Sequence, residues 1–176
     1  MTANQSRLLN ALGLMALDTV LVLAFIDQIW FRDLPCPLCI LQRAGFLAAG
    51  FGIALNLIFG PRPSHYGIVL FGALAGGAIS VWQISLYVVP GTGSYGNAIF
   101  GLHLYTWALM TFALMVLGTA IMLMFDRQFA GDGLLSPPWR VLSVSAVTLL
   151  GLLTVANVVS TLFICGLGFC LNVPSG

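Results

Sequence analysis

The chain is predicted to be an all-α integral membrane protein, a bundle of about five transmembrane helices forming one domain over residues 1–176. Three observations carry that prediction. Of 176 residues, 60% are hydrophobic and 6% charged. A soluble domain carries about 25% charged residues, so lipid must be the solvent for most of this surface. The apolar residues gather into five runs, each long enough to cross about 30 Å of hydrocarbon at about 1.5 Å per residue. Proline and glycine gather between the runs, where helices stop.

The first run covers approximately 8–29. It follows a short basic start, but it is too long for a signal-peptide core, contains Asp18 and has no small-residue cleavage site after it. It is read as a retained first helix. The second run covers 39–59, the third 66–89, the fourth 99–125 and the fifth 141–164. The connections FRDLPCP, GPRPSH, PGTGSYGN and DRQFAGDGLLSPPW are short, and no repeat of fixed period is present. Gly72, Gly76 and Gly77 thread the third run. In lipid, helices associate through close packing over small residues, which accounts for them.

Six Arg and five Asp, with no Lys or Glu, leave a net charge of +1. No basic field exists to attract nucleic acid. Arg7, Arg62, Arg127 and Arg140 fall on one side of the predicted membrane, and Arg32 and Arg43 on the other. The excess places the N-terminus in the cytoplasm. Trp30, Phe31, Tyr87, Tyr95, Tyr105, Trp107 and Trp139 stand near run ends, as interfacial anchors do. Asp18 falls mid-helix, where a lone charge is too costly: it is protonated, hydrogen-bonded to a neighbouring helix or part of a proton path, and the hydrogen bond is the expectation. Asp27 and Asp33 are read as solvated, and Gln42 and Gln83 as interhelical hydrogen bonders that could also supply a polar contact at a site.

The four cysteines form two pairs, Cys36 with Cys39 and Cys165 with Cys170. The first pair stands where the second run begins, and the other follows the fifth run. Four spans separate them, and four is even, so both pairs emerge on one face whichever way the chain inserts. With the N-terminus inside, that face is the outer one, in a bacterium the oxidising periplasm. A Cys-x-x-Cys at a helix start has a reason to be reactive, since free N–H groups and the helix dipole favour the thiolate. Pro35 and Pro37 hold the pair at the turn. Arg43 lies one helical turn beyond Cys39 on the same face, where a cation stabilises an adjacent anion. The bland readings are a snorkelling arginine and two inert disulfides. A zinc site would need all four sulfurs, though a lipid-supported bundle has little need of one, so no metal is expected. Covalent haem attachment would need a histidine where Ile40 stands.

Across Leu34-Pro35-Cys36-Pro37-Leu38-Cys39-Ile40-Leu41-Gln42-Arg43 the chain resembles the DsbB family of bacterial quinone-linked disulfide-forming membrane proteins. The resemblance implies that Cys36 and Cys39 pass electrons to ubiquinone or menaquinone and that Arg43 helps hold the quinone. It implies further that Cys165 and Cys170 exchange with a periplasmic thioredoxin-fold partner of the DsbA type, in the bacterial inner membrane. The better-known members have four membrane helices and carry the second pair in the loop between the third and fourth. Here that loop, PGTGSYGN, holds no cysteine, and the second pair follows a fifth helix. Gly166 and Gly168 would let the tail swing. His103, near the outer end of the fourth run, is a candidate for a quinone carbonyl or its proton, against the bland reading of a loop hydrogen bond. Two other functions compete. A vitamin K epoxide reductase-like quinone reductase would place its reactive pair late in the bundle. A non-catalytic accessory subunit would carry two structural disulfides that resist mild reduction.

Overall fold

The computed structural model describes residues 1–30, 36–88, 98–130 and 137–166. Phe31, Arg32, Asp33, Pro35, Tyr95, Gly168 and Cys170 lie outside the described residues. Five helices are long and apolar enough to cross a membrane: α1 (Ala3–Trp30), α2 (Pro37–Phe59), α3 (Pro63–Tyr87), α4 (Leu104–Leu123) and α5 (Pro137–Cys165). The chain is therefore a multi-pass membrane protein. A two-stranded antiparallel hairpin, β1 (Ala98–Ile99) and β2 (Leu102–His103), precedes α4, and a 3-10 turn, Asp126–Phe129, follows it.

Helix starts follow the prolines. Pro37, Pro63 and Pro137 are the first residues of their helices, where a missing N–H costs nothing and φ is already set. All three begin earlier than the apolar runs suggested, at Pro37 rather than Cys39, at Pro63 rather than Tyr66 and at Pro137 rather than Val141. α1 begins earlier too, at Ala3, because its polar first turns are themselves packed. Ser6 and Asn10 are buried there. The fourth run departs the other way: the helix starts at Leu104, not Ile99, because the preceding residues fold into the hairpin. Phe100 and Gly101 both have positive φ (53° and 79°), the geometry of a tight two-residue turn. The Trp107 indole N–H donates to Ile99 O at 3.1 Å and ties the hairpin to α4.

α2 is central. It packs on α1, α3 and α5, while α4 lies against α3 and α5 lies against α1. The closest seam is α2 on α3. A Cβ on Gly72 would stand 2.5 Å from Ala49 N, and one on Gly45 would stand 2.8 Å from Gly76 Cα. Gly76 faces the Phe112 ring of α4, which stacks on Phe46 of α2 at 3.9 Å between centroids. Gly77 differs from its neighbours, since a Cβ there would meet only Phe112 Cβ at an ordinary 3.6 Å.

At the end of the bundle holding the N-terminus, a buried polar network joins α1, α2, α3 and the 3-10 turn. Ser6 donates to Gln128 Oε1 at 2.6 Å, Asn10 Nδ2 donates to the Tyr66 hydroxyl at 2.8 Å, and Asn56 Nδ2 donates to Asn10 Oδ1 at 3.2 Å. Asn56 Oδ1 meets His65 Nδ1 and accepts the Arg62 N–H, both at 3.1 Å. Asp18 has no such company. It is fully buried, and among the described residues neither carboxyl oxygen has a hydrogen-bond partner. The expected bond to a neighbouring helix is not formed among the described residues.

Candidate functional site

Cys36 and Cys39 are joined by a disulfide, with Cα atoms 5.1 Å apart. Cys36 caps α2: its backbone is extended, and its sulfur accepts the Cys39 N–H at 3.0 Å. Pro37 supplies the first helical residue, so the pair sits where the positive end of the helix dipole is felt.

Beside this disulfide lies a cavity of about 640 Å³, within the size range of small-molecule sites. α1 forms one wall with Leu23, Ile26 and Trp30, and α4 forms another with Leu104, Tyr105 and Ala108. Cys39, Gln42, Arg43 and Phe46 of α2 and Gln83 of α3 line it too, with Ile99 and Phe100 of the hairpin. Cys39 faces this space and Cys36 is not part of its lining. Leu23, Ile26 and Trp30 are also exposed on the flank of the bundle, so the cavity opens sideways, toward lipid.

Arg43 is buried and held on three sides. Its Nη1 donates to Gln28 Oε1 at 2.6 Å, its Nη2 donates to Ala24 O at 2.8 Å, and its guanidinium lies 4.6 Å from the Phe25 ring centroid. Gln28 in turn donates to the Ser160 hydroxyl of α5 at 3.1 Å. These contacts make the burial of a cation tolerable and fix its direction. They are more than a snorkelling side chain at the interface would make. Asp27, read from sequence as solvated, instead lines the cavity and supplies charge opposite to Arg43.

Gln42 and Gln83 form the expected interhelical bond, Gln42 Nε2 donating to Gln83 Oε1 at 2.8 Å. Gln83 also reaches the disulfide, a contact that the sequence does not indicate. Its Nε2 lies 3.4 Å from Cys36 Sγ and 3.6 Å from Cys39 Sγ. Tyr105, read as a headgroup anchor, is buried in the cavity wall and stacks between Tyr87 and His103, at 5.9 and 5.2 Å. His103 is half-buried on β2 and is not part of the lining. Gln28 and the sulfur contacts of Gln83 had no sequence signal, since each depends on a helix far away in the chain.

Cys165 ends α5 and is disulfide-bonded. Gly166, at φ +61°, terminates the helix with its N–H on Leu162 O at 2.9 Å, the left-handed stop that glycine provides without strain. Its role in the described residues is thus to end α5. Cys170 lies outside them. No group of three or more metal-ligating side chains occurs among the described residues.

A family model described as disulfide bond formation protein DsbB matches residues 6–95. That stretch contains Gln28, Cys36, Cys39, Arg43 and Gln83, and leaves α4, α5 and Cys165 outside it. No curated protein and no solved structure matches the chain.

Proposed function

The chain belongs to the DsbB family of quinone-dependent protein-disulfide oxidoreductases, and from that premise we propose that it draws electrons from a soluble dithiol through Cys165 and Cys170 and delivers them through Cys36 and Cys39. The observation that carries this reading is the position of Cys39, one sulfur of a disulfide at a helix start, in the wall of a side-opening cavity that also contains Arg43. The partner is a thioredoxin-fold protein of the DsbA type. The setting is a bacterial inner membrane with the N-terminus in the cytoplasm and the cysteines at the periplasmic boundary.

The residues present fit a quinone. The cavity is mostly apolar, opens toward lipid and offers Arg43 and Gln42 as donors to a carbonyl oxygen, with Phe46 and Tyr105 as flat walls. When bound, ubiquinone or menaquinone supplies a two-electron acceptor that takes up the protons released by the thiols. Every other part of the chemistry lies with the chain. A partner thiolate attacks the Cys165–Cys170 disulfide, and resolution of the mixed disulfide leaves the partner oxidised and this pair reduced. The reduced pair then opens Cys36–Cys39 by the same exchange, and Cys39 becomes the thiolate facing the cavity. Arg43, locked by Gln28 and Ala24, holds positive charge in the same cavity wall. His103, the sequence candidate for a quinone contact, stacks on Tyr105 of the cavity wall and reaches the site through it.

Purified full-length protein is mixed with a reduced thioredoxin-fold dithiol and a soluble quinone, and the quinone absorbance is followed. Cys36→Ala and Cys39→Ala should each abolish turnover; turnover surviving in either variant would refute the scheme.

A further inference from the structure

Gln83 is 1% exposed and Gln42 is 6% exposed. A primary amide buried to that degree is costly unless both ends are bonded. The oxygen end of Gln83 accepts from Gln42, which fixes the plane of the amide. The nitrogen end is thereby aimed at the disulfide, at comparable distances from both sulfurs. A disulfide sulfur is a weak acceptor and a thiolate a strong one, because a hydrogen bond to a charged partner is roughly twice as strong. The same N–H group therefore stabilises the opened pair more than the closed one, which is the requirement for assisting a reaction rather than merely binding its starting state.

We propose that Gln83 is a catalytic residue whose amide donates to the Cys39 thiolate as the Cys36–Cys39 bond opens, with Gln42 as the residue that positions it. The incoming thiolate bonds to Cys36 Sγ, and the electron pair of the broken S–S bond stays on Cys39 Sγ. No proton need move in that step. Cys36 already has the Cys39 N–H as a donor, so the amide matters most to Cys39, the sulfur in the cavity wall. This role rests on the reading of Cys36 and Cys39 as the redox pair. The test is chosen to work without partner or quinone, so that its failure is distinct from failure of that reading.

Full-length protein is reduced, freed of reductant and alkylated with iodoacetamide between pH 5 and 10, with Cys39 followed by peptide mass spectrometry. Gln83→Met keeps the length of the side chain and removes the donor. It should slow Cys39 alkylation at pH 7 by about tenfold and move the pH profile upward by about one unit, the size expected of a hydrogen bond to a charge. Gln83→Glu should be at least as slow. The other ionisable groups of the cavity wall, Asp27 on α1, Arg43 on α2 and Tyr105 on α4, are unchanged in these variants. If Gln83→Met does not fold, Gln42→Met, which frees the amide to rotate, should give a smaller shift in the same direction. An unaltered profile in whichever variant folds would overturn the proposal. So would an unaltered profile accompanied only by a higher KM for quinone, which would make the amide a quinone contact and nothing more.

Discussion

At Arg43 a cation that would be expensive in a bilayer is offset by two backbone and side-chain acceptors and an aromatic face. The planar guanidinium matters here. Lysine has no fork to span Gln28 Oε1 and Ala24 O, so Arg43→Lys keeps the charge and loses the direction. We expect Arg43→Ala to raise the quinone concentration for half-maximal turnover by about tenfold, equivalent to about 1.4 kcal/mol, and Arg43→Lys to fall between. Kinetics against a soluble quinone read this, and an unchanged quinone dependence in Arg43→Ala would remove the residue from the site. At this scale the sequence was informative where the chemistry is local. Cys36, Cys39 and Arg43 are related by helical spacing alone, and the structure keeps Cys39 and Arg43 in one cavity wall. Gln28, Asp27 and the sulfur contacts of Gln83 were illegible, because a glutamine one turn from a helix end looks the same whether it faces lipid or a disulfide.

Among the elements, α2 and α3 form the seam that holds Gln42 against Gln83, and the seam depends on bare backbone. A side chain at Gly72 must displace Ala49 and the Gly45 carbonyl. Gly72→Val should therefore destabilise the folded protein by about 2 kcal/mol, the typical cost of overpacking. Gly77→Ala, with only an ordinary contact to make, should be neutral or mildly stabilising, since alanine favours the helix. Thermal unfolding in detergent separates the two; equal losses would show that the close approach is not what holds α2 to α3. All five helices were legible because hydropathy reports contact with lipid directly. Their ends were less so, for two different reasons. Ser6 and Asn10 lie in a helix that hydropathy undercounts, because their polarity is met by Tyr66 and Gln128 rather than by water. Ile99-Phe100-Gly101-Leu102-His103 reads as the start of an apolar run, and only the positive φ at Phe100 and Gly101 reveals a hairpin.

Across the whole molecule, α5 ties the half of the chain outside the family match to the candidate site. Ser160 on α5 is bonded to Gln28, which is bonded to Arg43, and Cys165 follows Ser160 by less than two helical turns. If Cys165 and Cys170 exchange with Cys36 and Cys39 as proposed, α5 would be the element that brings them together, since its Ser160 already meets Gln28 of α1. Removing one cysteine from each pair tests this most directly, because the two left behind have no partner but each other. In at least one of the four double variants, oxidation should yield an intramolecular disulfide joining Cys36 or Cys39 to Cys165 or Cys170, seen as a reductant-sensitive crosslinked peptide whose yield is independent of protein concentration. If all four variants remain as free thiols under oxidation, the two pairs do not meet and electrons do not pass between them.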